Sequence, residues 1–79
     1  MDNTTVHLLV RTRRSLGSGE ARRLRVGLGL SLREVADAYG FDACQLAQWE
    51  KGQTAPRMRS AERLAQMLSD FQQLIQEAS

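Results

Sequence analysis

Cysteine, histidine, lysine and long hydrophobic runs are all scarce in this chain, and each scarcity excludes something. One cysteine, Cys44, cannot close an internal disulfide. With the one histidine, His7, it cannot supply the four ligands of a structural zinc site. A protein without metal or cofactor, in the cytoplasm, is expected. No apolar run approaches the roughly 20 residues of a membrane span, and the opening MDNTTVHLLV lacks the charged region and cleavage site of a secretory leader. No membrane partner is expected. Cys44 and His7 lie in different segments with no third residue placed to orient the imidazole, so they do not read as a nucleophile and its base, and the chain does not read as an enzyme.

The 79 residues are expected to form one domain, 1–79, near the size at which a single core is barely sufficient, so tight helix packing or oligomerisation should help. No separate effector domain is expected within that length. The formal net charge is only +2. Its distribution says more: Arg11, Arg13, Arg14, Arg22, Arg23 and Arg25 crowd the first third with Glu20 the only acid among them, whereas the last ten residues are net acidic. Such asymmetry gives an electrostatic footprint a direction.

The most informative segment is SLREVADAYGFDACQLAQWEKGQTAP, Ser31 to Pro56. Ser31 with Glu34 three residues on reads as a capping box that starts a helix. Val35, Ala36 and Tyr39 follow as its inward stripe, and Gly40 supplies the left-handed backbone that ends it. Phe41 plugs the corner. Asp42 with Gln45 repeats the N-cap and N3 pattern for a second helix, with Leu46 and Trp49 inward, Gly52 as its stop and Pro56 beyond. Two capped helices joined by a three-residue turn form a helix-turn-helix, and DNA is the first partner to consider.

Outside the motif the pattern is also helical. Residues 1 to 16 are open to two readings: Val6, Leu8 and Val10 alternate as a strand would, but Val6, Leu9, Val10 and Leu16 suit one helical face, with Asp2 or Asn3 as cap. The helix is preferred. Ser18 is the candidate cap of the next helix, with Ala21, Leu24, Val26 and Leu28 inward and Gly27 and Gly29 ending it. From Met58 the apolar positions Ala61, Leu64, Ala65, Leu68, Phe71, Leu74, Ile75 and Ala78 keep helical spacing to the end. The expected fold is an all-α compact bundle of four to five helices, with a long C-terminal helix and an extra N-terminal one.

Gly29 to Ser31, Glu34 to Ala36, Gly40, Leu46 to Glu50, Lys51 to Pro56 with its Lys-Gly start, and Leu64 to Leu68 stand together in a register that resembles the lambda-repressor/Cro-like (Xre) helix-turn-helix family. The resemblance covers about residues 20 to 69, leaving extensions at 1–17 and 70–79. Leu32 departs from it: family members often carry a glutamine there that reaches a DNA phosphate, so that contact is not carried over. The resemblance implies an ion pair between Arg25 and Glu50 that holds the first core helix to the recognition helix.

Base reading must come from the outer face of the second motif helix. Counting away from Leu46 and Trp49, the outward residues are Ala43, Cys44, Ala47 and Gln48, with Gln45 at the flank. By resemblance, Ala43, Cys44 and Gln48 take the base-contacting positions. Gln48 alone can pair bidentately with an adenine, and the others offer apolar contact to thymine methyls. Phosphate contacts are expected among Arg13, Arg14, Arg22, Arg23, Gln45, Lys51 and Arg57.

The function expected is a sequence-specific DNA-binding transcriptional regulator, a repressor, acting on the nucleoid as a homodimer at a palindromic site. Its interface is expected at Phe71, Leu74 and Ile75, where the apolar stripe outruns the family-like core; the bland alternative is that the two termini pack on each other within one chain. The alternative function is a protein-interaction module on the same scaffold, antitoxin-like or regulator-binding, with DNA contact secondary or absent.

Overall fold

The computed structural model describes residues 3–78. Among them the chain forms five helices and no strand: α1 (Asn3–Gly17), α2 (Glu20–Gly27), α3 (Leu32–Tyr39), α4 (Ala43–Glu50) and α5 (Met58–Ala78). The all-α bundle is what forms, and its N-terminal segment is a helix. Leu9, Thr12 and Leu16, at i, i+3 and i+7, are the buried residues of α1, a spacing that only a helix gathers on one face. The inward set needs correction there. Val6 and Val10 are exposed, because the buried face centres on Thr12, whose hydroxyl donates to Leu9 O at 2.9 Å and so enters the core already paired. Asn3 is the first residue of α1; Asp2, the other candidate cap, lies outside the described residues.

Two further expectations are corrected in α2. Its N-cap is Gly19, held at φ 86° with no side-chain cap, while the Ser18 hydroxyl one residue earlier accepts a 3.4 Å bond from the Glu20 N–H. Val26 is 53% exposed. Neighbouring helical positions point about 100° apart, and it is Arg25 that turns inward.

The core is one cluster drawn from every helix: Leu16, Ala21, Val35, Ala36, Leu46, Trp49, Leu64, Met67, Leu68 and Phe71. Each large apolar side chain in it stabilises the fold by about 1.5–3 kcal/mol. No buried side-chain nitrogen or oxygen among the described residues lacks a partner.

The long helix α5 is the spine, and its most extensive packing is with α1. That contact settles where the C-terminal stripe goes. Phe71 is 2% exposed and belongs to the core cluster, so its place in a subunit interface is withdrawn: α1 and the rest of the bundle cover it within one chain. Ile75 is half-buried, its Cδ1 3.6 Å from where a Cβ on Gly27 would stand. Of the three proposed interface residues only Leu74, at 45%, is exposed.

α5 also grips α3. The Tyr39 hydroxyl donates to Asp70 Oδ2 at 2.5 Å, and Asp70 Oδ1 accepts from Gln66 Nε2 at 2.8 Å. Burial first, then the bond to Asp70 and its charge, push the Tyr39 phenol up from 10.0 to about 12, while the same bonds hold the Asp70 carboxyl below its ordinary value. A raised phenol favours the protonated folded form, so its contribution to stability is complete below pH 10.0 and is lost as pH rises through about 12. Tyr39 is the only tyrosine, which makes the shift directly readable. Ultraviolet titration of tyrosinate in the folded protein should give a midpoint near 12, and Asp70→Asn should lower it without reaching 10.0, because burial is the larger cause. A wild-type midpoint at 10.0 would dissolve the clamp.

Candidate nucleic-acid interface

The helix-turn-helix is fixed at three local points. Ser31 Oγ accepts from the Glu34 N–H at 3.0 Å while the Ser31 N–H donates to Glu34 Oε1 at 2.9 Å, the reciprocal capping box, and these bonds lower the Glu34 carboxyl pKa. Gly40, at φ 77°, ends α3, and the Phe41 N–H donates back to Ala36 O at 2.8 Å. Asp42 Oδ1 then accepts from the Gln45 N–H at 3.0 Å to start α4. The second box is only half made: Gln45 does not bond back, and its side chain stays exposed and without a partner among the described residues.

The turn between these helices is clamped from both sides. Phe41 meets Trp49 edge to face, with ring centroids 5.4 Å apart and planes at 84°. The Arg63 guanidinium of α5 lies 4.7 Å from the Phe41 ring centre and donates to Gly40 O at 2.9 Å and Tyr39 O at 3.4 Å. It therefore caps the carbonyl end of α3, where the helix dipole favours a cation. A Cβ on Gly40 would sit on a left-handed backbone, which favours glycine, and 3.0 Å from that guanidinium, which would have to shift slightly to admit it.

The inward face of α4 carries Leu46, Trp49 and Glu50. Ala43 joins them: it is partly buried and packed against the core, which corrects its assignment as an outward, base-contacting residue. It precedes Leu46 by three positions and Glu50 by seven, and so shares their side of the helix. The exposed stripe is Cys44, Gln48 and Lys51, at i, i+4 and i+7, flanked by exposed Gln45 and half-buried Ala47. Leu32, at the start of α3, packs against the core.

Arg25 and Glu50 are brought together beneath this stripe. Arg25 Nε donates to Glu50 Oε2 at 2.7 Å and Nη2 to Oε1 at 2.9 Å, a two-pronged pair in which the residues are only 8% and 7% exposed. The remaining prong, Nη1, donates to Leu30 O at 2.8 Å. One guanidinium thus joins the end of α2, the link into α3 and the end of α4.

The expected phosphate-contacting residues are dispersed. Arg22 and Arg23 are exposed on α2, Lys51 at the end of α4 and Arg57 just before α5. Arg13 is exposed but its Nε donates to Pro56 O at 3.0 Å, which ties α1 to the loop that follows α4. Arg14 lies instead beside a groove between α1 and α5. Sequence reasoning missed Arg63, Tyr39–Asp70 and the Leu30 carbonyl. Only the Gln66–Asp70 spacing of four was visible as a local signal; the other partners are 23 to 31 residues apart, except Arg25 and Leu30.

A family model described as Helix-turn-helix matches residues 22–69. Neither a curated protein nor a solved structure matches the chain significantly. The matched span contains α3, the turn and α4 entire, with Arg25 and Glu50, and leaves α1 outside.

The buried pair makes a distinctive prediction. Arg25→Ala or Glu50→Ala strands the other charge in the core and should cost about 3–5 kcal/mol, whereas replacing both by apolar residues of similar volume should recover most of that loss. Urea denaturation followed by Trp49 fluorescence reads both. Single losses below about 1 kcal/mol would make the pair no stronger than a surface contact.

Proposed function

The chain belongs to the helix-turn-helix family of lambda-repressor, Cro and Xre type, and from that premise we propose a specific way in which it binds DNA as a regulator. It acts as a transcriptional repressor on the nucleoid, and α4 enters the major groove with the Cys44–Gln48–Lys51 stripe leading. The observation that carries this reading is the division of α4 into a side locked to the core by Leu46, Trp49 and Glu50 and a side left exposed. Gln48 reads an adenine edge, Cys44 and Ala47 give apolar contact to thymine methyls, and Gln45, Lys51, Arg13, Arg22, Arg23 and Arg57 contact phosphates. A homodimer would set two copies of α4 in successive major grooves about 34 Å apart on a palindromic site. With Phe71 internal, self-association falls to the exposed neighbourhood of Leu74. The small number of polar groups on the stripe supports a second reading, a protein-interaction module with DNA contact secondary or absent. No helix among the described residues is long and apolar enough to cross a membrane.

Salt separates the two readings. Binding to genomic DNA fragments should weaken linearly in log–log form, with slope about 0.9 per phosphate neutralised. Absent binding at low salt, or binding indifferent to salt, removes the DNA reading in favour of the interaction module.

A further test concerns the face of α4. Gln48→Ala should relax preference at one base pair, costing about 1–3 kcal/mol on the specific site with nonspecific affinity and melting temperature nearly unchanged. Trp49→Ala should instead cost about 3–5 kcal/mol of folding stability. A destabilised Gln48→Ala protein would mean that the faces of α4 have been assigned wrongly.

A further inference from the structure

Between α1 and α5, beside the α1–α2 corner, runs a groove of about 910 Å³. Apolar side chains form part of its floor: Leu68 is buried and Leu8 and Ala65 are half-buried, beside buried Thr12 and exposed Ser69 and Gln72. Arg11 and Arg14 line it from α1, both exposed, and neither guanidinium makes an ion pair or hydrogen bond among the described residues. They stand three residues apart, about 4.5 Å along the helix axis, which matches the spacing of carboxylates one turn apart on a facing helix. Glu20, the one acid lining the groove among the described residues, sits at its corner end.

We propose that this groove is a docking site for an acidic amphipathic helix of a partner protein. The partner's apolar face covers Leu8, Ala65 and Leu68, and carboxylates one turn apart meet Arg11 and Arg14. The channel between two packed helices is the shape a third helix fills. Charge complementarity selects the partner, since two unpaired guanidiniums beside an apolar floor favour acids next to apolar residues. A DNA backbone would leave that floor uncovered. The α1 side of the groove lies outside the matched span of residues 22–69 and the α5 side, at Ala65, Leu68 and Ser69, within it; the proposal does not depend on which bases the helix-turn-helix reads.

The test uses the full chain and three synthetic amphipathic helices of about 15 residues, the length at which isolated helices begin to hold. They share one apolar face and carry Glu, Gln or Lys on the polar face. In amide NMR titrations the Glu peptide should move signals of residues 8–20 and 65–72 saturably and leave 43–51 in place. Arg11→Glu with Arg14→Glu should weaken it about tenfold or more and let the Lys peptide bind in its stead. Arg11→Gln with Arg14→Gln, which adds no acid to α1, should weaken it without that reversal. Trp49 fluorescence and helical circular dichroism confirm that each variant is folded. Equal binding of all three peptides, no binding, or shifts confined to 43–51 overturns the proposal. So do concentration-dependent shifts of the groove residues without peptide, which would make a second copy the occupant, or duplex DNA moving the Arg11 and Arg14 signals, which would assign them to phosphates. Loss of DNA binding with peptide binding intact would sink the function proposed above and leave the groove standing.

Discussion

The buried pair of Arg25 and Glu50 is the constraint on which the rest of the motif depends. A guanidinium nearly shut off from water together with its carboxylate has to find a partner for every prong, and here the prongs reach two parts of the chain: Nε and Nη2 the end of α4, Nη1 the carbonyl of Leu30 before α3. Desolvating the two charges opposes much of their attraction, so the pair is a weak source of net stability. Its effect is on geometry. A shift of α4 by a fraction of a turn would break two bonds at once and leave two charges unpaired in the core, an outcome costlier than the small gain from any alternative packing.

The same geometry is then reinforced from the opposite side by α5. Arg63 closes the carbonyl end of α3 and lies against Phe41, Phe41 lies against Trp49, and Tyr39 reaches Asp70. Each of these surface-side contacts contributes on the order of 1 kcal/mol or less, far below the cost of removing Trp49 from the core. They trim the angle between α3 and α4, while burial of Leu46 and Trp49 holds the helices in place. The result is a short helix α4 with one face held in the core and the other exposed, carrying Cys44, Gln45 and Gln48, with Lys51 at its end.

α1 changes the character of the molecule without touching that face. Packed on α5, it takes part of what the sequence displays as an unpaired apolar stripe into the interior, with Phe71 and Leu16 in the same cluster, while Leu74 stays exposed. It also divides its arginines: Arg13 goes to the loop after α4, and Arg11 and Arg14 to the groove over α5. The N-terminal cationic cluster is thus divided between two surfaces, which is why its total charge is a poor guide to where DNA or protein would bind.

What the sequence determined by itself was governed within a turn or two of chain: the Ser31–Glu34 box, the Gly40 stop, the Asp42 cap, and the inward places of Val35, Ala36, Leu46 and Trp49, though not the start of α2, where Gly19 and not Ser18 is the cap. Such signals are local because a cap or a helical period involves partners three or four residues away. The tertiary structure decided the quantities that depend on how one helix is rotated against another. Those rotations turned Ala43 partly toward the core and Val26 outside, put Thr12 on the buried face of α1 in place of Val6 and Val10, and set Tyr39 on Asp70 across 31 residues. The C-terminal stripe shows the same division. Its helical period was legible from Met58 onward, but a stripe looks identical whether a second chain or the chain's own first helix covers it, and only the packing of α1 on α5 distinguishes the two.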